Sequence, residues 1–326
     1  MIDPKEWKST LSDAFHPPGF FQSVVKDVVG ADISQHRTYE KAISAWRWPL
    51  WGVAFEDAMT NKDFGFQRVR VFGDDWHRES APSYRMVPIS LLKERAVMSD
   101  GGAVIEYKNA EGKQGKFVLR VYRIPNATMV NAIANESQKA DVERFFNSMS
   151  GYIAKNNFYK KAKVDPQGRF LDLADIDEAD LILPAQQKKD IFFNVKSMVE
   201  KWEDYAKFGI PAKRGIILAG PPGTGKSLLG KVIAKNLDCS FLWVTPRHVM
   251  EADGFSSIYE FARELAPSIV MLEDADVFGM DRRLNGFNPL LGELLQCLDG
   301  VVENKGVVTL LTSNYAEVLD SALTNR

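Results

Sequence analysis

Two rhythms of apolar residues divide the chain. In the first half, Val104 to Lys108 and Lys116 to Tyr122 alternate apolar and polar positions, the period of two that predicts strands. Between them lies Asn109-Ala110-Glu111-Gly112-Lys113-Gln114-Gly115, so a hairpin with a long loop is expected. Phe64 to Phe72 offers another strand, and Val142, Phe145, Phe146 and Met149 fall at helical spacing. Trp46, Trp48 and Trp51 crowd one segment and read as core. The first half is expected to be α+β.

The second half alternates strand and helix. Ile216 to Ala219, Phe241 to Val244, Ile269 to Leu272 and Val307 to Leu311 are short apolar runs. Between them, three helix faces are marked by Leu228, Leu229, Val232, Ile233 and Leu237, then Ile258, Phe261, Ala262 and Leu265, then Leu290, Leu291, Leu294, Leu295 and Leu298. This order implies a parallel sheet covered by helices. The halves meet at Lys160, Lys161 and Lys163, followed by the turn signal Asp165-Pro166-Gln167-Gly168 and by Asp172, Asp175, Asp177, Glu178 and Asp180. Those charges read as a solvated linker, which puts the expected domains at 1–164 and 165–326.

A length of 326 residues suits two domains, and 45% hydrophobic residues suffice for sizeable cores. Lys+Arg (41) and Asp+Glu (43) nearly cancel, giving no global push toward nucleic acid or acidic membranes. Cys239 and Cys297 sit in apolar segments and read as buried thiols of a reducing compartment. The start lacks an apolar signal core and no stretch is long enough to span a membrane, so a cytoplasmic protein is expected. His16, His36 and His77 lack metal-ligand spacing.

Against this background three segments carry chemistry. Gly220-Pro221-Pro222-Gly223-Thr224-Gly225-Lys226-Ser227 fits G-x-x-x-x-G-K-[ST], preceded by an apolar strand and followed by an amphipathic helix. Its glycines let backbone N–H groups turn inward on phosphate oxygens, and the helix N-terminus faces the same anion. Nucleotide contacts are expected along the loop and into Leu228, with Lys226 on the β- and γ-phosphates and the Ser227 hydroxyl on Mg²⁺. The second segment, Ile269-Val270-Met271-Leu272-Glu273-Asp274-Ala275-Asp276, is an apolar strand ending in acids. One acid is expected to hold Mg²⁺ and its neighbour to orient the attacking water. By position along the strand these are Glu273 and Asp274 respectively. In the third, Val307 to Asn314, an apolar strand ends in the amide of Asn314, which could position the lytic water beside the γ-phosphate.

In this order and spacing, the three segments resemble the AAA subgroup of AAA+ ATPases over about residues 180–326. Phe208 to Gly215, Ala262 to Ser268, Leu294 to Gly300 and Thr312-Ser313-Asn314 look like further family elements. Asp180-Leu181-Ile182-Leu183-Pro184 lies where members begin to contact adenine, so Leu181 and Ile182 join the expected site. The resemblance implies a five-stranded parallel sheet, ATP–Mg²⁺ hydrolysis and ring assembly, most often hexameric. It also implies remodelling of a protein substrate recognised through the first domain. Three departures stand out. The acids read Glu-Asp where members usually have Asp-Glu, an inversion shared with the Bcs1-like branch. The segment Met250 to Phe255 is short for a pore loop, with Phe255 its candidate aromatic. Finally, the sequence ends at Leu323-Thr324-Asn325-Arg326, where members continue into an arginine-finger region and a lid, so weak hydrolysis by this chain is expected. Competing readings are a nucleic-acid motor or loader, disfavoured by the charge balance, and a non-hydrolysing assembly module in which ATP acts as structural glue.

Overall fold

Antiparallel pairing builds the first unit and parallel pairing the second. The computed structural model describes residues 8–10, 20–73, 78–125, 127–251, 254–279, 289–299, 303–315, 317 and 319–324. The chain divides into Met1–Phe158 and Tyr159–Arg326.

In the first unit the strands are β1 (Lys8–Thr10), β2 (His36–Ser44), β3 (Phe66–Phe72), β4 (Ser83–Ser90), β5 (Lys93–Lys108), β6 (Gln114–Ile124) and β7 (Ala127–Asn135). They form one sheet in the order β1-β2-β7-β6-β5-β3, with β4 also on β5. The helices are α1 (Phe20–Val29), α2 (Arg47–Ala58) and α3 (Lys139–Lys155). Successive strand residues point to opposite faces. Ala103, Ile105 and Tyr107 therefore join the core under α2 and α3, while Val104 joins Phe21, Val24 and Val25 of α1 on the other side. The expected hairpin is β5–β6, closed by Asn109, whose Oδ1 accepts from Glu111 N (3.0 Å) and Lys113 N (2.9 Å). Val142, Phe145, Phe146 and Met149 are the buried face of α3, and all three tryptophans of the cluster are buried. Helix α2 lies close on β5 because Gly52 faces Val97: a Cβ on Gly52 would stand 2.8 Å from the Cβ of Val97. His36 is structural, its Nε2 lying 2.8 Å from Gly30 O. His16 and His77 lie outside the described residues.

The second unit carries β8 (Lys163–Val164), β9 (Lys213–Ala219), β10 (Ser240–Val244), β11 (Ser268–Leu272) and β12 (Val307–Ser313), all parallel, in the order β8-β10-β11-β12-β9. Helices α4 (Ala185–Lys207), α5 (Lys226–Asn236), α6 (Pro246–Glu251), α7 (Phe255–Glu264), α8 (Asp276–Gly279) and α9 (Pro289–Asp299) accompany them. Phe241, Ile269, Met271, Val308 and Leu310 face α4 and α5, and α7 lies against β10 and β11.

The fifth strand, β8, comes from the segment read as a solvated linker. Val164 is fully buried, and the Lys163 ammonium donates to Leu237 O (2.8 Å) and Cys239 O (2.5 Å). Buried Asp165 accepts from Gln167 N and from Arg169 N and Nε. The acidic stretch is likewise folded: Lys235 Nζ donates to the carbonyls of Ala174 and Ile176, and Glu178 pairs with Lys188. Local charge cannot reveal the ties of Lys163 and Lys235, because their partners lie 59 to 76 residues away in sequence. Tyr159 packs on Phe261, so residues 159–164 go with the second unit. Among the described residues no helix is long and apolar enough to cross a membrane.

Candidate functional site

The C-terminal ends of β9, β11 and β12 bring the chemistry together. In a parallel sheet this is the end where connections diverge and ligands settle. Strand β9 ends at Ala219, the loop runs from Gly220 to Gly225, and α5 starts at Lys226. Gly223 (φ 79°) and Gly225 (φ 86°) are left-handed, a conformation that costs glycine little. Apart from Gly223 itself and its two chain neighbours, no atom lies within 4 Å of where a Cβ of Gly223 would stand, so the loop is open on that side. Gly220 N donates to Ser313 O (3.2 Å), tying the loop to β12, and Thr224 Oγ1 donates to Pro221 O (2.9 Å). Pro221, Pro222, Gly223 and Thr224 are exposed, whereas Leu228 packs on the core and leaves Ser227 at the surface.

The Lys226 ammonium donates to Gly220 O (2.6 Å), Pro221 O (2.9 Å) and Asn314 Oδ1 (2.8 Å). Lys226 and Asn314, far apart in sequence, thus meet at the loop. The Ser227 hydroxyl donates to Glu273 Oε1 at 2.5 Å, while Trp243 Nε1 donates to Glu273 Oε2 at 2.9 Å. Asp274 differs from Glu273. Its backbone is left-handed (φ 49°), its N–H donates to Thr312 Oγ1 (3.1 Å), and its side chain is exposed. Ala275 N donates to Thr312 O (2.7 Å), so buried Thr312 holds the acidic turn on β12. Asp276 Oδ1 accepts from Asn314 N (3.2 Å).

Leu181 is buried beside the loop, its Cδ1 lying 3.8 Å from where a Cβ of Gly225 would stand. Ile182 is 91% exposed, so a base lying there would find its side chain in solvent. Phe255, the candidate pore aromatic, is a core residue: it is fully buried as the first residue of α7, its ring 5.1 Å edge-on from Phe278. A phenylalanine after a glycine is equally a helix start, and here burial decides. Ala252 and Asp253 of the same segment lie outside the described residues, as do Gly300, Asn325 and Arg326.

The chemistry of these groups fits a nucleotide with Mg²⁺. An open glycine loop and a cation stand at one side, and two hard oxygen ligands 2.5 Å apart, from Ser227 and Glu273, at the other. Among the described residues no group of three or more His, Cys, Asp or Glu side chains could hold a metal ion, so the remaining ligands would be phosphate and water. Sequence reasoning missed Trp243, Thr312 and Asp276 as supports. Only strand register reveals the first two.

Comparison with known proteins gives one family-model match and curated relatives that each align with about half of the chain. The family model described as "ATPase family associated with various cellular activities (AAA)" matches residues 216–326. The chain is 36% identical over 183 residues to an ATP-dependent zinc metalloprotease FtsH of Trieres chinensis, covering 52% of this chain and 27% of that protein. It is 32% identical over 197 residues to an FtsH of Slackia heliotrinireducens, covering 55% and 24%. With the chloroplastic FTSH 8 of Arabidopsis thaliana it shares 33% over 166 residues, covering 47% and 23%. The chain thus spans about a quarter of the length of these curated relatives.

Proposed function

From the premise that residues 216–326 form an AAA-family ATPase domain, we propose that the chain binds ATP with Mg²⁺ in the Gly220–Ser227 loop and hydrolyses it to act on a protein substrate. The observation carrying this reading is the convergence of Lys226, Ser227, Glu273 and Asn314 on one loop.

The loop N–H groups and the start of α5 bind phosphate oxygens. Lys226 exchanges its carbonyl partners for the terminal phosphates, and Asn314 stays beside it to orient groups there. Ser227 and Glu273 would hold the cation, which would supply charge neutralisation on the phosphates. Asp274, exposed at the turn after β11, orients the attacking water. Held by Thr312, the turn fixes where that carboxylate starts, which suits electrostatic preorganisation.

In this proposal the ATPase unit works within a homo-oligomeric ring, hexameric by resemblance, and the first unit recognises the protein substrate. The matched relatives are named as ATP-dependent proteases, which supports a protein substrate. Both cysteines are unbridged, which supports a reducing, cytoplasmic setting. The deciding experiment is calorimetry of ATP·Mg²⁺ binding. Lys226→Ala, at a half-buried position outside the hydrophobic core, is expected to abolish measurable binding while the thermal melt is retained. Wild-type affinity in that variant overturns the assignment.

A further inference from the structure

Resting on the nucleotide-binding reading above, we propose that Trp243 is a positioning residue: its indole N–H fixes the Glu273 carboxylate so that one oxygen, Oε1, is presented to the metal. The geometry comes from register. Strands β10 and β11 are parallel with Trp243 opposite Met271. Glu273 lies two residues past Met271, on the same side as Trp243, and Glu273 N continues the ladder to Val244 O at 2.8 Å. The indole therefore reaches diagonally along the sheet to Oε2 at 2.9 Å. The other oxygen faces the Ser227 hydroxyl at 2.5 Å.

Helix α5 is let down onto this pair by Gly230. A Cβ there would stand 2.0 Å from Met271 Sδ and 3.6 Å from Trp243 Cζ3. Ser227 lies one turn earlier on the same helix, so the close approach at Gly230 also sets Ser227 over Glu273. The indole also contacts the Phe241 ring, 6.0 Å away centroid to centroid, and Lys231 Nζ, 5.7 Å from its centroid.

The chemistry explains why a tryptophan suits this place. A glutamate has three side-chain torsions, and a carboxylate free to rotate can offer a cation either oxygen or both. Indole N–H is a donor only, so it cannot compete as a metal ligand. By occupying Oε2 it makes Glu273 a one-oxygen ligand aimed at Ser227. Hydrogen bonds that orient metal ligands in this way typically set metal affinity by about 10–100-fold. A phenylalanine would fill much of the same space and donate nothing.

The test is ADP binding to the full chain by calorimetry, in Mg²⁺ and in EDTA, with the Mg²⁺ concentration varied. Trp243→Phe is expected to reduce the Mg²⁺-dependent gain in ADP affinity about tenfold and to leave metal-free ADP binding within about twofold of wild type. Replacing Trp243 by 3-benzothienylalanine, an unnatural isostere with sulfur in place of N–H, is expected to do the same. Its result decides the matter if Trp243→Phe fails to fold. An unchanged Mg²⁺ dependence overturns the proposal, as does an equal loss with and without metal, which marks a purely structural residue. Failure of the wild-type chain itself to bind ADP in either condition overturns the nucleotide-binding reading on which this one rests.

Discussion

Glu273 and Asp274 are adjacent acids with unlike surroundings, and the difference predicts different phenotypes. Glu273 is bonded on both oxygens, by Ser227 and Trp243, whereas Asp274 is turned outward on a left-handed backbone. In an assembled ring, Asp274→Asn is expected to keep nucleotide binding and to lower turnover by about a hundredfold or more, the scale of a lost water-orienting base. Glu273→Gln is expected to weaken the Mg²⁺ dependence as well. Steady-state turnover and Mg²⁺ titrations separate the two, and wild-type turnover in Asp274→Asn excludes the water-orienting role. A second residue-scale prediction concerns thiols. Burial pushes the Cys239 thiol up to about 11, so at pH 8 only about one molecule in a thousand carries the reactive thiolate. Mass spectrometry after brief native alkylation should therefore find Cys239 unmodified, and modification only after unfolding. Much at this scale was legible beforehand. Lys226 and Ser227 follow from a pattern whose glycines and cation have direct phosphate chemistry, and the acids and Asn314 were marked by apolar strands ending in polar groups. Trp243 was not legible, since an indole in an apolar strand signals core until register shows that its N–H points at Glu273.

At the scale of elements, legibility depended on how each helix is buried. Helix α3 has one buried face, and its spacing showed it. Helix α2 is buried almost all round, from Trp48 to Phe55, so it has no polar stripe to set a period. Helix α4, the longest, carries Ile191, Val195, Met198, Trp202 and Tyr205 toward the core, but the run Ile191-Phe192-Phe193, with Phe193 69% exposed, blurs that spacing. Strand β8 covers only Lys163 and Val164, too short for any pattern. The packing of α2 carries its own prediction. Alanine is the better helix former by about 1 kcal/mol, yet at Gly52 its methyl would stand 2.8 Å from the Cβ of fully buried Val97. That carbon is fixed by the β5 backbone, so overpacking wins. Gly52→Ala is expected to cost about 1–2 kcal/mol, read as a lower urea midpoint for the first unit. A raised midpoint would show that α2 can lift without penalty.

For the whole molecule, the two units have separate cores, and the first gathers α2, α3 and six strands, β2 to β7, around Phe66, Tyr107, Phe117 and Phe145. Residues 1–158 are therefore expected to fold alone with a cooperative melt, followed by near-ultraviolet circular dichroism of the buried tryptophans. A fragment with no transition would show that the first unit depends on the second. The change from antiparallel to parallel pairing was legible because the apolar rhythm changes between the halves. Turn and charge signals mark where a chain bends, not which core it serves, and the packing of Tyr159 on Phe261 puts residues 159–164 with the second unit. One pairing in the first unit also bears on its birth. Strand β2 lies between β1 and β7, with His36 opposite Asn135, roughly a hundred residues later in the chain. A ribosome adding about 5–20 residues per second takes roughly 5–20 s to make that partner. Until then β2 can pair only with the three residues of β1, and Tyr39 and Ile43 have no β7 beside them. The first unit therefore cannot assemble from its N-terminus forward during translation. Its sheet closes late, leaving β2 dependent on whatever shields it in the nascent chain.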